Sequence, residues 1–272
     1  MSSPFREPAD EAWIRRYGEY PMPDLPDLGA FLTHRSVRKF RPEPIPEPIR
    51  EGLVGVAQSA ATSSNLQLWS VVEIDDPERR DRIAELSADQ VQIRTAGWFL
   101  AFIADHHRLR QAGSSVGESC EGLDYAEYLI MAIVDAALAA ERMVAAAEHL
   151  GIGSCYIGAL RNNPAEIQEL LQLPTGTFGV FGLCLGYPAE PMTAAIKPRL
   201  LPSAVRHREV YHPDMSQEVA EYDERMRAFY ETQRMKGDVT WSSRSGRRVD
   251  EHHLGGREVL LEYLRNQGFL RR

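Results

Sequence analysis

Two short basic segments carry the clearest chemistry in this chain. His34-Arg35-Ser36-x-Arg38-Lys39 sets several cations and a hydroxyl on one tight segment after a helix, suited to charge-assisted hydrogen bonds to a phosphate. Lys197-Pro198-Arg199 is a second cationic cluster, flanked by Pro191 and Pro202, in which proline holds two charges at fixed positions. Taken alone, each also reads as a solvated surface turn. Ser63-Ser64-Asn65-Leu66-Gln67 supplies hydroxyls and amides that pair with the carbonyls and ring nitrogens of a heterocycle, although a turn that ends a helix uses the same residues. Gly151-Ile152-Gly153-Ser154-Cys155-Tyr156-Ile157-Gly158 places glycines before and after a short strand, so backbone amides can approach a flat ligand closely. It is not the dinucleotide fingerprint, because its G-x-G precedes the strand and Tyr156 stands at the third glycine.

Other reactive groups offer less. His106-His107 and His252-His253 are adjacent pairs whose rings point apart on a helix or strand, so neither makes a two-ligand metal clip, and no metal is expected. Cys155 reads as a small packing residue rather than a nucleophile, and Arg110 as a cation facing solvent. There is no G-x-S-x-G elbow and no P-loop.

The elements that must position these groups fit one large domain with appendages, since single domains run to ~250 residues and this chain has 272 with 43% hydrophobic content. A net charge of -8 repels nucleic acid and anionic lipid. Cys120, Cys155 and Cys184 form no C-x-x-C pair, which argues against disulfides and zinc and for a reducing cytoplasmic setting. The opening Met-Ser-Ser-Pro, soon followed by Glu7, Asp10 and Glu11, lacks the positive start and apolar run of a secretory signal. Leu129 to Ala140, the most apolar stretch, is broken by Asp135 and falls short of the ~20 residues a bilayer span needs, so no membrane association is expected.

Residues 1–26, rich in proline, read as an arm on the surface or on a partner; 27–202 read as the core and 203–272 as an extension. Leu28, Phe31 and Leu32 have helical spacing. Helices are expected at 48–61, 77–87, 125–150, 164–171, 216–230 and 256–267, strands at 69–74, 98–103, 154–157 and 180–185, and a Gly- and Arg-rich loop at 236–248. The helix over 125–150 is apolar nearly all round and must be covered on every side, by its own subunit or by another.

In combination these segments resemble the FMN-dependent nitroreductases, in particular their NADPH-preferring group. The resemblance runs from about Phe31 to the C-terminus. It rests, in family order, on the basic turn 34–40, Ala60-Ala61-Thr62-Ser63-Ser64-Asn65-Leu66-Gln67, Tyr156-Ile157-Gly158-Ala159-Leu160-Arg161-Asn162-Asn163, Phe181-Gly182-Leu183-Cys184-Leu185-Gly186-Tyr187-Pro188 and Lys197-Pro198-Arg199.

The resemblance implies an α+β fold, a mixed sheet wrapped by helices, in an intertwined homodimer with two FMN sites at its interface. It implies that His34, Arg35, Ser36 and Arg38 bind FMN and that Lys197 and Arg199 bind its phosphate side. Ser64, Gln67 and Gln90 would reach the ring or ribityl chain, and the Tyr156-Ile157-Gly158 backbone would lie over the reactive edge. Reduction leaves negative charge on the flavin ring, which a cation such as Arg38 stabilises, so no catalytic side chain is required beyond the flavin. The 1–26 arm and the 203–272 extension complete the organisation, the latter wrapping the dimer and contacting NADPH; Arg234, Arg244, Arg247 and Arg248 are available for its 2'-phosphate, with Arg234 and Arg247 favoured, and NADH is a possible second donor. The implied activity is ping-pong electron transfer to nitroaromatics, quinones, flavins or similar small acceptors. The alternatives are a flavin store or sensor without turnover, with either Ala159 in place of a second glycine or the long 1–26 arm closing the open face, or a metabolite-specific flavoenzyme on the same scaffold.

Overall fold

A computed structural model describes residues 8–22, 29–235, 237 and 239–272; Leu28, several arm prolines and Lys236 lie outside the described residues. The elements, in chain order, are α1 (Ala9–Tyr17), α2 (Gly29–Leu32), α3 (Glu47–Gln58), β1 (Trp69–Glu73), α4 (Pro77–Leu86), α5 (Val91–Thr95), β2 (Trp98–Asp105), α6 (His107–Ser115), α7 (Ala126–His149), β3 (Gly153–Ile157), α8 (Pro164–Leu171), β4 (Thr177–Gly186), α9 (Pro202–Val205), α10 (Ser216–Thr232), α11 (Trp241–Arg248) and α12 (Leu260–Asn266). Contacts group them into two compact units, Ser36–Thr193 with Gly255–Arg272, and Met1–Arg35 with Ala194–Leu254. This division follows packing and cuts across the 1–26, 27–202 and 203–272 segments drawn from composition.

The sheet of the larger unit has the order β1-β2-β4-β3 with every neighbouring pair antiparallel, and the parallel contact from Ser36 to Ser154 on the outer edge of β3 is an isolated bridge rather than a strand. Strand side chains alternate between faces, and β2 is buried along its whole length, so both its faces must be apolar. Trp98, Leu100, Phe102 and Ala104 join a core with α3, α7 and α12, while Phe99, Ala101 and Ile103 join another with α4, α5 and α8. Gly182 of β4 is required by this packing: a Cβ there would sit 2.8 Å from the Phe99 ring.

Helix α7 was expected to be covered by its own subunit or by another, and its own chain covers it only in part. Leu129, Ala132, Ala136, Ala139, Ala140, Met143, Val144 and Ala147 are buried against the sheet, but Ile130, Ile133, Val134 and Leu138 on the opposite stripe are exposed. Within one chain this helix is covered on one side only. Among the described residues no helix is long and apolar enough to cross a membrane.

In the smaller unit Tyr222, Met226 and Tyr230, one turn apart on α10, are buried with Leu200, Val239 and Trp241 packed against them. Two readings change here. The arm contains helix α1, whose Ala12, Trp13 and Arg16 are buried, because Asp10 and Glu11 favour the first turn and a single Trp supplies enough apolar area to anchor it. The 236–248 loop becomes α11 from Trp241 onward: Thr240 and Ser243 form a reciprocal cap, with the Ser243 N–H donating to Thr240 Oγ1 at 3.1 Å, and this overrides the low helix propensity of Ser and Gly.

Candidate functional site

The basic turn leaves α2 and divides between the units after Arg35. From Ser36 onward it is zipped to the sheet. Val37 N–H donates to Ser154 O at 2.8 Å, and Gly153 lies so close that a Cβ would come within 2.6 Å of Val37 Cγ2. Further along, Arg41 N–H donates to Tyr187 O at 2.8 Å and Ala189 N–H to Lys39 O at 3.0 Å. Extended backbone sends alternate side chains to opposite sides, so Val37 is buried while Arg38 stands exposed. Burial pushes the Cys155 thiol up, against the nearby Arg38 charge and a hydrogen bond from Gln92, which both favour the thiolate. Gln92 also donates to Gln90 Oε1 at 2.6 Å. Ser36, Arg38, Gln90 and β3 are thus gathered at one edge of the sheet.

Beyond β3 the chain turns at Gly158. Ile157 is fully buried, so only its backbone is available to a ligand. Tyr156 is half-exposed, its ring edge-on to Phe181 and its hydroxyl donating to Glu141 at 3.1 Å; burial first, and then the Glu141 charge, push its pKa far above the ordinary value. Arg257 caps the Gly158 carbonyl at 3.2 Å, and a Cβ at Gly158 would meet only the Arg161 side chain. Ala159 is buried in the core with no positive φ, so its extra methyl points away from the open surface.

Ser64 and Gln67 are exposed on the turn before β1. Ser64, Asn65 and Gln67 have φ of 49°, 55° and 51°, and Ala88 and Asp89, just before Gln90, have 61° and 53°. Left-handed backbone outside glycine is costly and collects at ligand-binding loops. The 63–68 turn is held by Asp135, whose buried carboxylate accepts the Ser63 and Leu68 N–H groups, both at 3.1 Å, and by Arg108, which donates to Gln67 O at 3.1 Å. Asp135 was legible in the sequence only as a charge interrupting an apolar helix.

The sheet does not bring this turn to the other candidates. β1 and β3 are its two edges, roughly 14 Å apart at three strand spacings. They also differ in height, since Trp69 pairs with Ala104 at one end of β2, whereas Ser154 pairs with Leu185, which pairs with Trp98 at the other.

In the smaller unit Ile196 and Pro198 are buried and Lys197 and Arg199 exposed, an alternation that aims both cations outward. Tyr222 donates to Pro198 O at 2.9 Å and Arg225 to Arg199 O at 3.3 Å. Lys197 and Arg199 line a cavity of about 950 Å³ together with Arg244, Arg247, Arg248 and the aromatic rings of Tyr17, Tyr222, Tyr230 and Trp241. None of the described residues lining it is a carboxylate. Five cations beside aromatic faces suit a phosphorylated planar ligand. Of the four arginines available in the extension, Arg244, Arg247 and Arg248 belong to this wall and Arg234 does not. The Lys197 cluster and the His34–Arg35 end of the basic turn are both tied to α1: Arg16 donates to His34 O at 2.9 Å and accepts from Arg199 N–H at 2.9 Å.

The remaining groups are structural. Arg110 does not face solvent: it pairs with Asp124 at 2.7 Å, because α6 brings it over the turn before α7. His106 is buried, with Nε2 3.0 Å from Tyr128 O. Cys155 and Cys184 lie opposite each other across β3 and β4, free and buried. No group of three or more metal-ligating side chains occurs among the described residues.

Residues 32–187 match the nitroreductase family and 197–272 the nitroreductase family C-terminal domain. The chain is 35% identical to the oxygen-insensitive NADPH nitroreductase of Salmonella typhimurium, over 91% of this chain and 99% of that protein. Among solved structures it is similar to NfrA1 nitroreductase from B. subtilis, with a TM-score of 0.83 and 33% identity over 89% of this chain and 98% of that one. It is likewise similar to an NADPH:FMN oxidoreductase from Vibrio harveyi complexed with NAD+, with a TM-score of 0.77 and 32% identity over 88% and 96% of the two chains.

Proposed function

The chain belongs to the nitroreductase family, and on that footing we propose that it works as a homodimer that takes electrons from NADPH and passes them, in a ping-pong cycle, to nitroaromatics, quinones, free flavins or similar small acceptors. Its activity is NADPH-dependent oxidoreduction with FMN as cofactor. The cationic cavity, with no carboxylate among its described lining residues, carries this reading, because FMN and NADPH both carry phosphate groups and flat ring systems.

Lys197 and Arg199, with His34 and Arg35, hold the FMN phosphate. Ser36, Arg38 and Gln90 face the isoalloxazine from the β3 edge, the Tyr156-Ile157-Gly158 backbone lies along it, and Ser64 and Gln67 bond to the ring or ribityl chain. When bound, FMN supplies the two-electron transfer between donor and acceptor. Arg38 keeps a fixed cation where negative charge develops on reduction, and Asp135 holds the Ser63–Leu68 turn in its left-handed shape. Arg247, with Arg244 and Arg248 beside it, contacts the NADPH 2'-phosphate; Arg234, off the cavity wall, contributes less.

Two observations favour the dimer. The stripe Ile130, Ile133, Val134 and Leu138 is apolar and exposed on α7, and Ser64 and Gln67 sit at the sheet edge away from Ser36 and Tyr156. A second copy covers the first and supplies the missing half of each site, and the 203–272 extension wraps it. The three free cysteines suit a cytoplasmic protein.

Purified protein is expected to be yellow and to bleach with anaerobic NADPH, regaining colour with nitroaromatics, quinones, free flavin or chromate. A colourless protein that takes up no added FMN ends this reading; a flavin that stays oxidised with both NADPH and NADH ends the reductase and leaves a flavin store.

A further inference from the structure

Helix α1 precedes both stretches that match the family, 32–187 and 197–272, yet it is bonded into the cationic segments. The last carbonyls of a helix have no intrahelical partner. In α1 two of them are filled from the far end of the chain: Arg16 O accepts Arg199 N–H at 2.9 Å, and Tyr17 O accepts Arg225 Nη1 at 2.9 Å. Arg225 also donates through Nη2 to Arg199 O at 3.3 Å, so Arg199 is held from both sides of its backbone.

The side chain of Arg16, only 6% exposed, runs the other way. Its Nε donates to Leu32 O at 2.7 Å and its Nη2 to His34 O at 2.9 Å. A guanidinium presents its donors in a rigid planar fork, so bonds to carbonyls two residues apart fix the orientation of the turn as well as its distance. One residue therefore carries the His34–Arg35 turn on its side chain and the Lys197–Arg199 segment on its main chain. Tyr17, the next residue, borders the cavity that Lys197 and Arg199 line.

We infer that Arg16 is a positioning residue that sets the spacing of the His34–Arg35 turn and the Lys197–Arg199 segment, and through it the grip on the FMN phosphate. This rests on the FMN assignment above. Charge-assisted bonds to a phosphate depend on geometry, and two segments remote in sequence keep their register only if something joins them. Loss of Arg16 relaxes the phosphate contacts and leaves contacts to the flavin ring in place.

The test compares two ligands that differ only in the phosphate. Full-length apoprotein is titrated with FMN and with riboflavin, for wild type, Arg16→Ala, Arg16→Lys and, as an exposed control on the same helix, Ile14→Ala. Arg16→Ala is expected to weaken FMN binding by ~10-fold or more with riboflavin binding unchanged. Arg16→Lys, which keeps the charge but reaches one carbonyl rather than two, falls between, and Ile14→Ala matches wild type. An unchanged FMN affinity in Arg16→Ala, or equal losses for both flavins, overturns the inference while the FMN assignment stands. Wild type that binds neither flavin overturns both. Should Arg16→Ala fail to fold, the FMN-to-riboflavin ratio of Arg16→Lys decides.

Discussion

The carboxylate of Asp135 lies 3.1 Å from the backbone nitrogen of Ser63, joining the middle of the longest helix to the start of the turn that carries Ser64 and Gln67. Its other oxygen accepts Leu68 N–H, so one side chain closes both ends of a turn with three left-handed residues. Asp135→Ala leaves two inward-facing N–H groups without a partner, each costing about 1–3 kcal/mol. Urea unfolding is expected to show a loss of about 2–6 kcal/mol, with Asp135→Asn losing less because its amide oxygen still accepts one bond. A midpoint within error of wild type for Asp135→Ala disposes of the clamp.

Arg38 is exposed beside β3, whereas Arg110 is occupied by Asp124 and makes a poor control. Arg82, paired with Glu85 on the surface of α4, is a better one. Arg38→Ala is expected to weaken FMN retention by about tenfold, the worth of one charge-assisted contact, and Arg82→Ala to leave it unchanged. Flavin-to-protein absorbance ratios after gel filtration check this, and equal ratios in the two variants count against the assignment of Arg38.

His106 is buried, and its pKa is held below the ordinary 6.5 first by burial and then by the Arg110 charge, against the opposing pull of the Tyr128 carbonyl and Asp105. The folded state therefore binds a proton less readily than the unfolded one. The associated stability is complete above 6.5, the unfolded value, and is lost as pH falls below it toward the depressed folded value. Melting temperatures from pH 8 to pH 5 are expected to drop on the acid side more steeply in wild type than in His106→Gln. Parallel curves would assign the acid loss to other groups.

Leu138 and Val134 sit on the uncovered stripe of α7. Leu138→Asp puts a charge where the proposed partner packs, and sedimentation is expected to show a monomer in place of a dimer. Because Ser64 and Gln67 lie at the sheet edge away from Ser36, that monomer also sheds FMN. A wild-type protein that sediments as a monomer with FMN bound refutes the two-chain site.

Arg247 lines the cationic cavity and Arg234 does not. Arg247→Ala is expected to raise the KM for NADPH by about tenfold with a much smaller change for NADH, since only NADPH carries the 2'-phosphate. Arg234→Ala is expected to leave both close to wild type. The reverse order would move the 2'-phosphate contact out of the cavity.

Much of the fold could be read from residue order because periodicity survives in one dimension. All four strands and the helices over 77–87, 125–150 and 164–171 appear within a few residues of their expected bounds, since apolar alternation and proline starts act locally. Helix α1 escaped because five prolines in the first 26 residues masked nine helical ones, and α11 because its start depends on the Thr240–Ser243 cap rather than on apolar spacing. The glycine at 153 looked like a ligand-approach glycine, and in the structure its lack of a side chain serves the packing of Val37.

The candidate site divides in the same way. Cations, amides and small residues are compatible with a phosphorylated flat ligand and with ordinary surface turns alike, so the sequence by itself determined which groups are available and in what order they occur. Only the tertiary structure decided what holds them: Asp135 grips N–H groups, and Arg16 grips carbonyls. Every residue offers a carbonyl and nearly every one an N–H, so such bonds leave no mark in the residue types of the partner, and their choice is made by the fold alone.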